Sequence, residues 1–175
     1  MDTTVAYERY KFLGHEFLTW LWFMIENSQD EIRKIVDDAI EVEIGNRIVL
    51  AKNGESPSEV ITIKGNDANL EEGMLSLKKG AFVNEISLIL KLGDQQWSFS
   101  LKGENLNIGS LKTPDTAPVE KQDEVEGAII DKVNLIEQPI KLIDKLFSKF
   151  VKSRIGNEFV NSYLVSIQKW IEGAM

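Results

Sequence analysis

Residues 82–101 read Phe-Val-Asn-Glu-Ile-Ser-Leu-Ile-Leu-Lys-Leu-Gly-Asp-Gln-Gln-Trp-Ser-Phe-Ser-Leu. Trp97, Phe99 and Leu101 alternate with Ser98 and Ser100, the period of two that sends apolar side chains to one face of a strand and hydroxyls to the other. Phe82 to Leu92 is apolar enough for a second strand, and Gly93-Asp94 supplies the turn between the two. The segment predicts an antiparallel hairpin with one face to bury, so the fold needs a sheet and a layer to cover it.

Working outward, the short run before this hairpin has helical punctuation. Leu70, Met74, Leu75 and Leu77 follow Asn69 as an N-cap, with Glu71 and Glu72 in the first turn, Lys78 and Lys79 in the last, and Gly80 beyond. Earlier still, Ile40, Val42 and Ile44 alternate with Glu41 and Glu43, Gly45-Asn46 suggests a turn, and Ile48, Val49 and Leu50 resume the pattern, which predicts another hairpin. After the loop Asn53 to Ser58, Val60-Ile61-Thr62-Ile63 is β-branched throughout and predicts a strand, ended by Gly65-Asn66-Asp67.

The flanks are helical. Tyr7 to Glu26 carries Phe12, Leu13, Phe17, Leu18, Trp20, Leu21, Trp22, Phe23, Met24 and Ile25, a density that covers almost every face, so this helix must be enclosed. Asp30 to Asp38, with Ile32, Ile35 and Val36 at helical spacing, reads equally as one or two helical turns or as a connector. Thr113 to Asp123, with Pro114 and Pro118, has the composition of an extended linker. Beyond it Val125, Ile129, Val133, Ile136, Ile140, Ile143, Phe147 and Val151 keep intervals of three and four, and Pro139 is expected to kink or divide the helix they mark. Arg154, Gly156 and Asn157 signal a stop, after which Phe159, Tyr163, Val165, Ile167, Trp170 and Ile171 supply a last helix. The expected fold is α+β: an antiparallel β-sheet with an aromatic N-terminal helix, a short helix between hairpins and a C-terminal helical pair. Its expected divisions are a core over 1–112, a linker over 113–123, and helices over 124–175 that pack on the core or on a partner.

Composition narrows the function classes. At 175 residues and 43% hydrophobic content the chain is long enough for one ordinary core. Its formal net charge of -8 repels phosphate backbones overall, so nucleic-acid binding would need a local basic surface. The absence of cysteine excludes disulfides and thiolate chemistry and fits a reducing compartment. The longest apolar run, Phe17 to Ile25, broken by Thr19 and bounded by Glu16 and Glu26, is far short of the ~20 residues of a membrane span, and nothing around it resembles a signal-peptide cleavage site. A cytoplasmic protein without membrane attachment is the expectation.

Catalytic chemistry has little to work with. The one histidine, His15, precedes the aromatic helix and reads as a capping or packing residue, because a general base needs a partner that spacing does not reveal. Asp37-Asp38 and Glu71-Glu72 are adjacent pairs whose side chains diverge by about 100° on a helix, a poor clamp for a metal ion. No phosphate-cradling glycine loop, zinc helix motif, nucleophile elbow or calcium loop is present. No enzyme activity, metal, cofactor or small-molecule substrate is therefore expected. Trp20 and Trp22 could stack on bases, but their apolar surroundings point to core or subunit interface. Lys141, Lys145, Lys149 and Lys152 form a stripe at helical spacing, read as a solvated face with phosphate contact as the alternative.

Read as one string, Val60-Ile61, Lys64, Asp67, Glu71-Glu72, Gly80, Val83 and the strand Ile86 to Leu90 resemble the strand, polar loop, short helix, glycine turn and strand of the C-terminal half of RdgC recombination-associated proteins. The block Phe12 to Trp22 is similar to a tryptophan-rich block in short relatives of that family, and the likeness extends from about Phe12 to Lys112. The resemblance implies a non-enzymatic nucleoid protein that binds double-stranded DNA without strong sequence preference, forms homodimers and modulates RecA-dependent recombination. Lys64-Gly65-Asn66 matches the family's basic, basic, amide run at its first and third positions. The implied DNA contacts are Lys64, Asn66, Lys78 and Lys79. The other class the sequence supports is an acidic protein–protein interaction module, dimeric or not, in which nucleic acid has no part.

Overall fold

The structure, a computed structural model, describes residues 12–37, 39–52, 60–64, 67–116 and 125–173. Helix α1 spans Phe12–Asn27 and α2 Gln29–Val36; strands β1 (Ile40–Ala51) and β2 (Val60–Lys64) follow. Helix α3 (Asp67–Lys78) leads into β3 (Phe82–Leu92), β4 (Gln95–Lys102) and β5 (Ile108–Lys112). The chain ends with α4 (Val125–Ile155), a π-helical turn (Phe159–Tyr163) and α5 (Leu164–Glu172). The five strands make one antiparallel sheet in the order β2-β1-β3-β4-β5. This is the α+β class that the hydrophobic periods predict: β3 with β4 is the expected second hairpin and α3 precedes it, while β1 with β2 forms a hairpin in place of the one expected within Ile40 to Leu50.

Val42, Ile48, Leu50, Ile63, Val83, Ile86, Leu88, Leu90, Trp97, Phe99 and Leu101 form the buried face of the sheet. Helix α1 packs across β3 and β1 on that face, while α4 and α5 close over its far side. That double cover is why Phe17, Leu18, Trp20, Leu21, Trp22 and Met24 can all be fully buried. Phe17 and Trp20 meet Phe150 at 5.6 and 5.7 Å, Trp20 meets Tyr163 edge-on at 5.9 Å, and Trp22 and Phe23 meet Trp170 at 5.3 and 5.7 Å. The C-terminal helices thus join the same core as the sheet. Within it the Trp20 indole N–H finds no protein acceptor, a cost of ~1–3 kcal/mol that the surrounding apolar burial outweighs.

Four local features depart from the sequence reading. Gly45-Asn46 does not turn: Ile40 to Ile44 pairs with Leu92 to Leu88, and Ile48 onward pairs with Ile86 onward, so both halves lie along β3 as one strand with a bulge between them. Gly45 permits this because a Cβ there would sit 2.8 Å from the Ser87 Cβ. Strand β5, which the sequence reading leaves unassigned, pairs with β4 through Ser98, Ser100 and Leu101. Pro139 neither ends nor divides α4, which runs through it with Pro139 buried. A proline at 139 withholds the N–H that would bond the carbonyl four residues back. That carbonyl belongs to Leu135, and Trp97 Nε1 donates to it instead at 2.8 Å. Helix α3 begins before Asn69, at Asp67, and α2 resolves the open alternative at Asp30 to Asp38 in favour of helix. The loop Asn53 to Ser58 and most of the linker Thr113 to Asp123 lie outside the described residues.

Candidate functional site

Where the structure describes them, the expected DNA contacts fall on separate elements. Lys64 is the last residue of β2, paired in register with Arg47. Asn66 lies outside the described residues. Lys78 and Lys79 stand at the other end of α3, whose 12 residues place roughly 16 Å of helical rise between its first and last positions. Lys78 is exposed, and its Nζ donates to the Glu172 carbonyl at 3.2 Å. It lines an open groove of about 740 Å³ together with Glu26, Glu71, Glu72, Met74 and Leu75, so carboxylates share its surroundings. Lys79 is exposed in the turn that follows.

The lysine stripe on α4 is engaged within the chain. Lys141 pairs with Glu137 at 2.6 Å and Lys149 with Glu158 at 3.3 Å. Lys145 donates to the carbonyl of Val36 at 2.9 Å, satisfying one of the carbonyls that the end of α2 leaves open. Lys152, the fourth, is exposed. His15 is a packing residue: Nδ1 donates to the Val83 carbonyl at 3.1 Å and the ring lies 4.5 Å from Phe82. Trp20 and Trp22 present no surface to a base, since both are fully buried. Among the described residues no group of three or more His, Asp or Glu side chains could hold a metal ion. No described helix is long and apolar enough to cross a membrane.

The polar face of the sheet carries a shallow hollow of about 460 Å³ lined by Ser87, Ser98, Ser100, Gln96 and Lys112. Its Arg47 and Glu85 pair with each other at 3.4 Å, which leaves serine hydroxyls, Asn46, Gln96 and Lys112 as its other polar groups.

The most unusual surface is the first half of α4. From Leu142 onward the helix buries Leu142, Ile143, Leu146 and Phe150. Before that point Val125, Ile129, Ile130, Val133, Ile136 and Ile140 are 39–58% exposed. Isolated exposed aliphatics are ordinary on a protein surface, but here the exposed residues recur every three or four positions and fall on one side of one helix. The helix is anchored beside that stripe: Trp97 holds the Leu135 carbonyl, Pro139 is buried, and Lys132 donates to Thr113 Oγ1 at 2.5 Å. The apolar side is therefore presented on a fixed scaffold. Its spacing is visible in the sequence, yet spacing cannot tell which half of so long a helix the body covers. No protein-family model matches this chain, and no curated protein sequence matches it.

Proposed function

We propose that this chain is a non-catalytic protein–protein interaction module whose working surface is the apolar stripe on the N-terminal half of α4. The observation that carries the reading is the run of six large aliphatic side chains, Val125 to Ile140, each 39–58% exposed on a helix anchored to the sheet. Completing the burial of six half-exposed aliphatics is worth on the order of 10 kcal/mol, enough to sustain a specific contact once association costs are met. The acidic remainder of the surface, with a chain charge of -8, favours solubility and discourages indiscriminate sticking.

A photo-reactive amino acid placed at Val133, in the cells from which the chain derives, should give a discrete protein adduct that the same group at the exposed position Ser148 does not. Equal labelling from both positions would refute the proposal. Titration with duplex DNA at low and high salt tests the rival expectation built on Lys64, Asn66, Lys78 and Lys79. A mobility shift that weakens steeply with salt and is lost on replacing Lys78 and Lys79 would replace the interaction reading with the DNA-binding one.

A further inference from the structure

We infer that the occupant of the α4 stripe is a second copy of this chain, bound through antiparallel pairing of the two α4 N-terminal halves; this rests on the interaction reading above and names its partner. Ile129, Val133, Ile136 and Ile140 are spaced four, three and four apart, and Ile143, Phe147 and Phe150 continue the same three-four alternation. That is the seam of a helix built to meet another helix. In the C-terminal half the seam is already filled from within, because Phe147 meets Phe17 of α1 edge-on at 5.2 Å and Phe150 meets it at 5.6 Å. One seam is thus half covered by α1 and half bare. The bare half calls for a helix with a matching seam, and the same half of a second α4 is one.

The covered half decides the direction. A parallel partner would run on past Ile140 into the space that α1 occupies beside Phe147. An antiparallel partner overlaps only the bare halves and sends the two bodies to opposite ends. Centred between Asn134 and Leu135, this pairing sets Val133 of one copy opposite Ile136 of the other, and Ile129 opposite Ile140. It brings Glu126 of each copy within about 3 Å, along the axis, of Lys141 of the other, with the helix dipoles opposed. At their observed exposure the four seam residues with the flanking Val125 and Ile130 present on the order of 500 Å² per copy, so a pair that covered all six would bury about 1,000 Å² in total, the range of a small, reversible interface. Because each copy carries a net charge of -8, added salt should hold or tighten the dimer by screening repulsion, the opposite of the response of a phosphate-binding surface.

Sedimentation velocity on the full chain should show twice the 19.8 kDa chain mass at micromolar concentration. Val133→Glu and Ile136→Lys should each weaken association by at least about tenfold with an unchanged circular dichroism spectrum. Mixing the two variants should restore the dimer, because position 133 faces 136 only in the antiparallel pair. Failure of the mixture to recover overturns the arrangement, and a wild-type chain monomeric at about 100 μM overturns the second copy as occupant. In that monomer case, maleimide labelling of Ile129→Cys and Ile140→Cys, in a chain without cysteine of its own, separates the two failures. Rapid labelling leaves the stripe open to a different protein, whereas protection means that the chain covers it by itself and ends both readings.

Discussion

Replacing Trp97 by Phe tests how α4 runs through a proline. The indole N–H serves the Leu135 carbonyl at 2.8 Å, the group that Pro139 leaves without its helical donor. Trp97 is 1% exposed and its bond to the half-buried Leu135 lies partly out of solvent, so removing the donor leaves the carbonyl poorly solvated. An acceptor stranded in such a place costs ~1–3 kcal/mol, and the volume lost from indole to phenyl adds about 1 kcal/mol of cavity. Trp97→Phe should therefore destabilise by about 2–4 kcal/mol, with a fall in Tm of roughly 2–4 °C per kcal/mol for a chain of this size. Pro139→Ala restores an N–H aimed at the same carbonyl, while giving up a buried ring. In that background Trp97→Phe should cost only its cavity, about 1 kcal/mol. The two substitutions should thus couple by about 1–3 kcal/mol. Urea unfolding followed by far-ultraviolet circular dichroism measures all four members of the cycle, at one fixed protein concentration because association shifts apparent stability. Equal costs for Trp97→Phe in both backgrounds, within about 0.5 kcal/mol, would refute the reasoning.

Two further outcomes follow from close contacts in the core. Gly14 faces the backbone of the β4–β5 turn so closely that a Cβ would lie 1.8 Å from the Gly103 carbonyl oxygen; Gly14→Ala should push α1 off the sheet and cost about 3 kcal/mol or more, and an unaltered melting curve would contradict this packing. The Tyr163 hydroxyl donates to Glu31, and burial, then the bond to Glu31, then the negative charges of Glu31 and Glu158 push its pKa above the ordinary tyrosine value. The unfolded chain ionises this group near pH 10 while the folded chain keeps it neutral, so its contribution is complete below about pH 10 and is lost as pH rises further. Stability should fall less steeply above that pH in Tyr163→Phe than in the parent, as read from urea midpoints across the alkaline range, and a steeper fall would contradict the assignment.

Much of the fold is legible in the sequence because it depends on local pattern. The alternation from Trp97 to Leu101, the turn at Gly93-Asp94 and the saturated apolar content of Phe17 to Ile25 each specify an element without reference to the rest of the chain. The departures arise where a distant partner decides. Gly45-Asn46 has turn chemistry, but β3 offers a continuous edge to both flanking segments and the strand bulges rather than reversing. Pro139 leaves the Leu135 carbonyl without its helical donor, and the donor that replaces it, Trp97, is 42 positions from Pro139 in sequence. The lysines of α4 look equivalent along the helix, yet their environments differ because Val36 and Glu158 arrive from other elements.

By itself the sequence determined the α+β class, the enclosed aromatic helix and the long apolar repeat from Val125 to Val151, since each follows from the period of its hydrophobic residues. Only the tertiary structure decided where that repeat is used. Helix α1 reaches the seam at Phe147 and Phe150 and leaves it uncovered from Val125 to Ile140. The physical reason is that periodicity specifies which side of a helix is apolar, whereas the reach of neighbouring elements specifies how much of that side is buried.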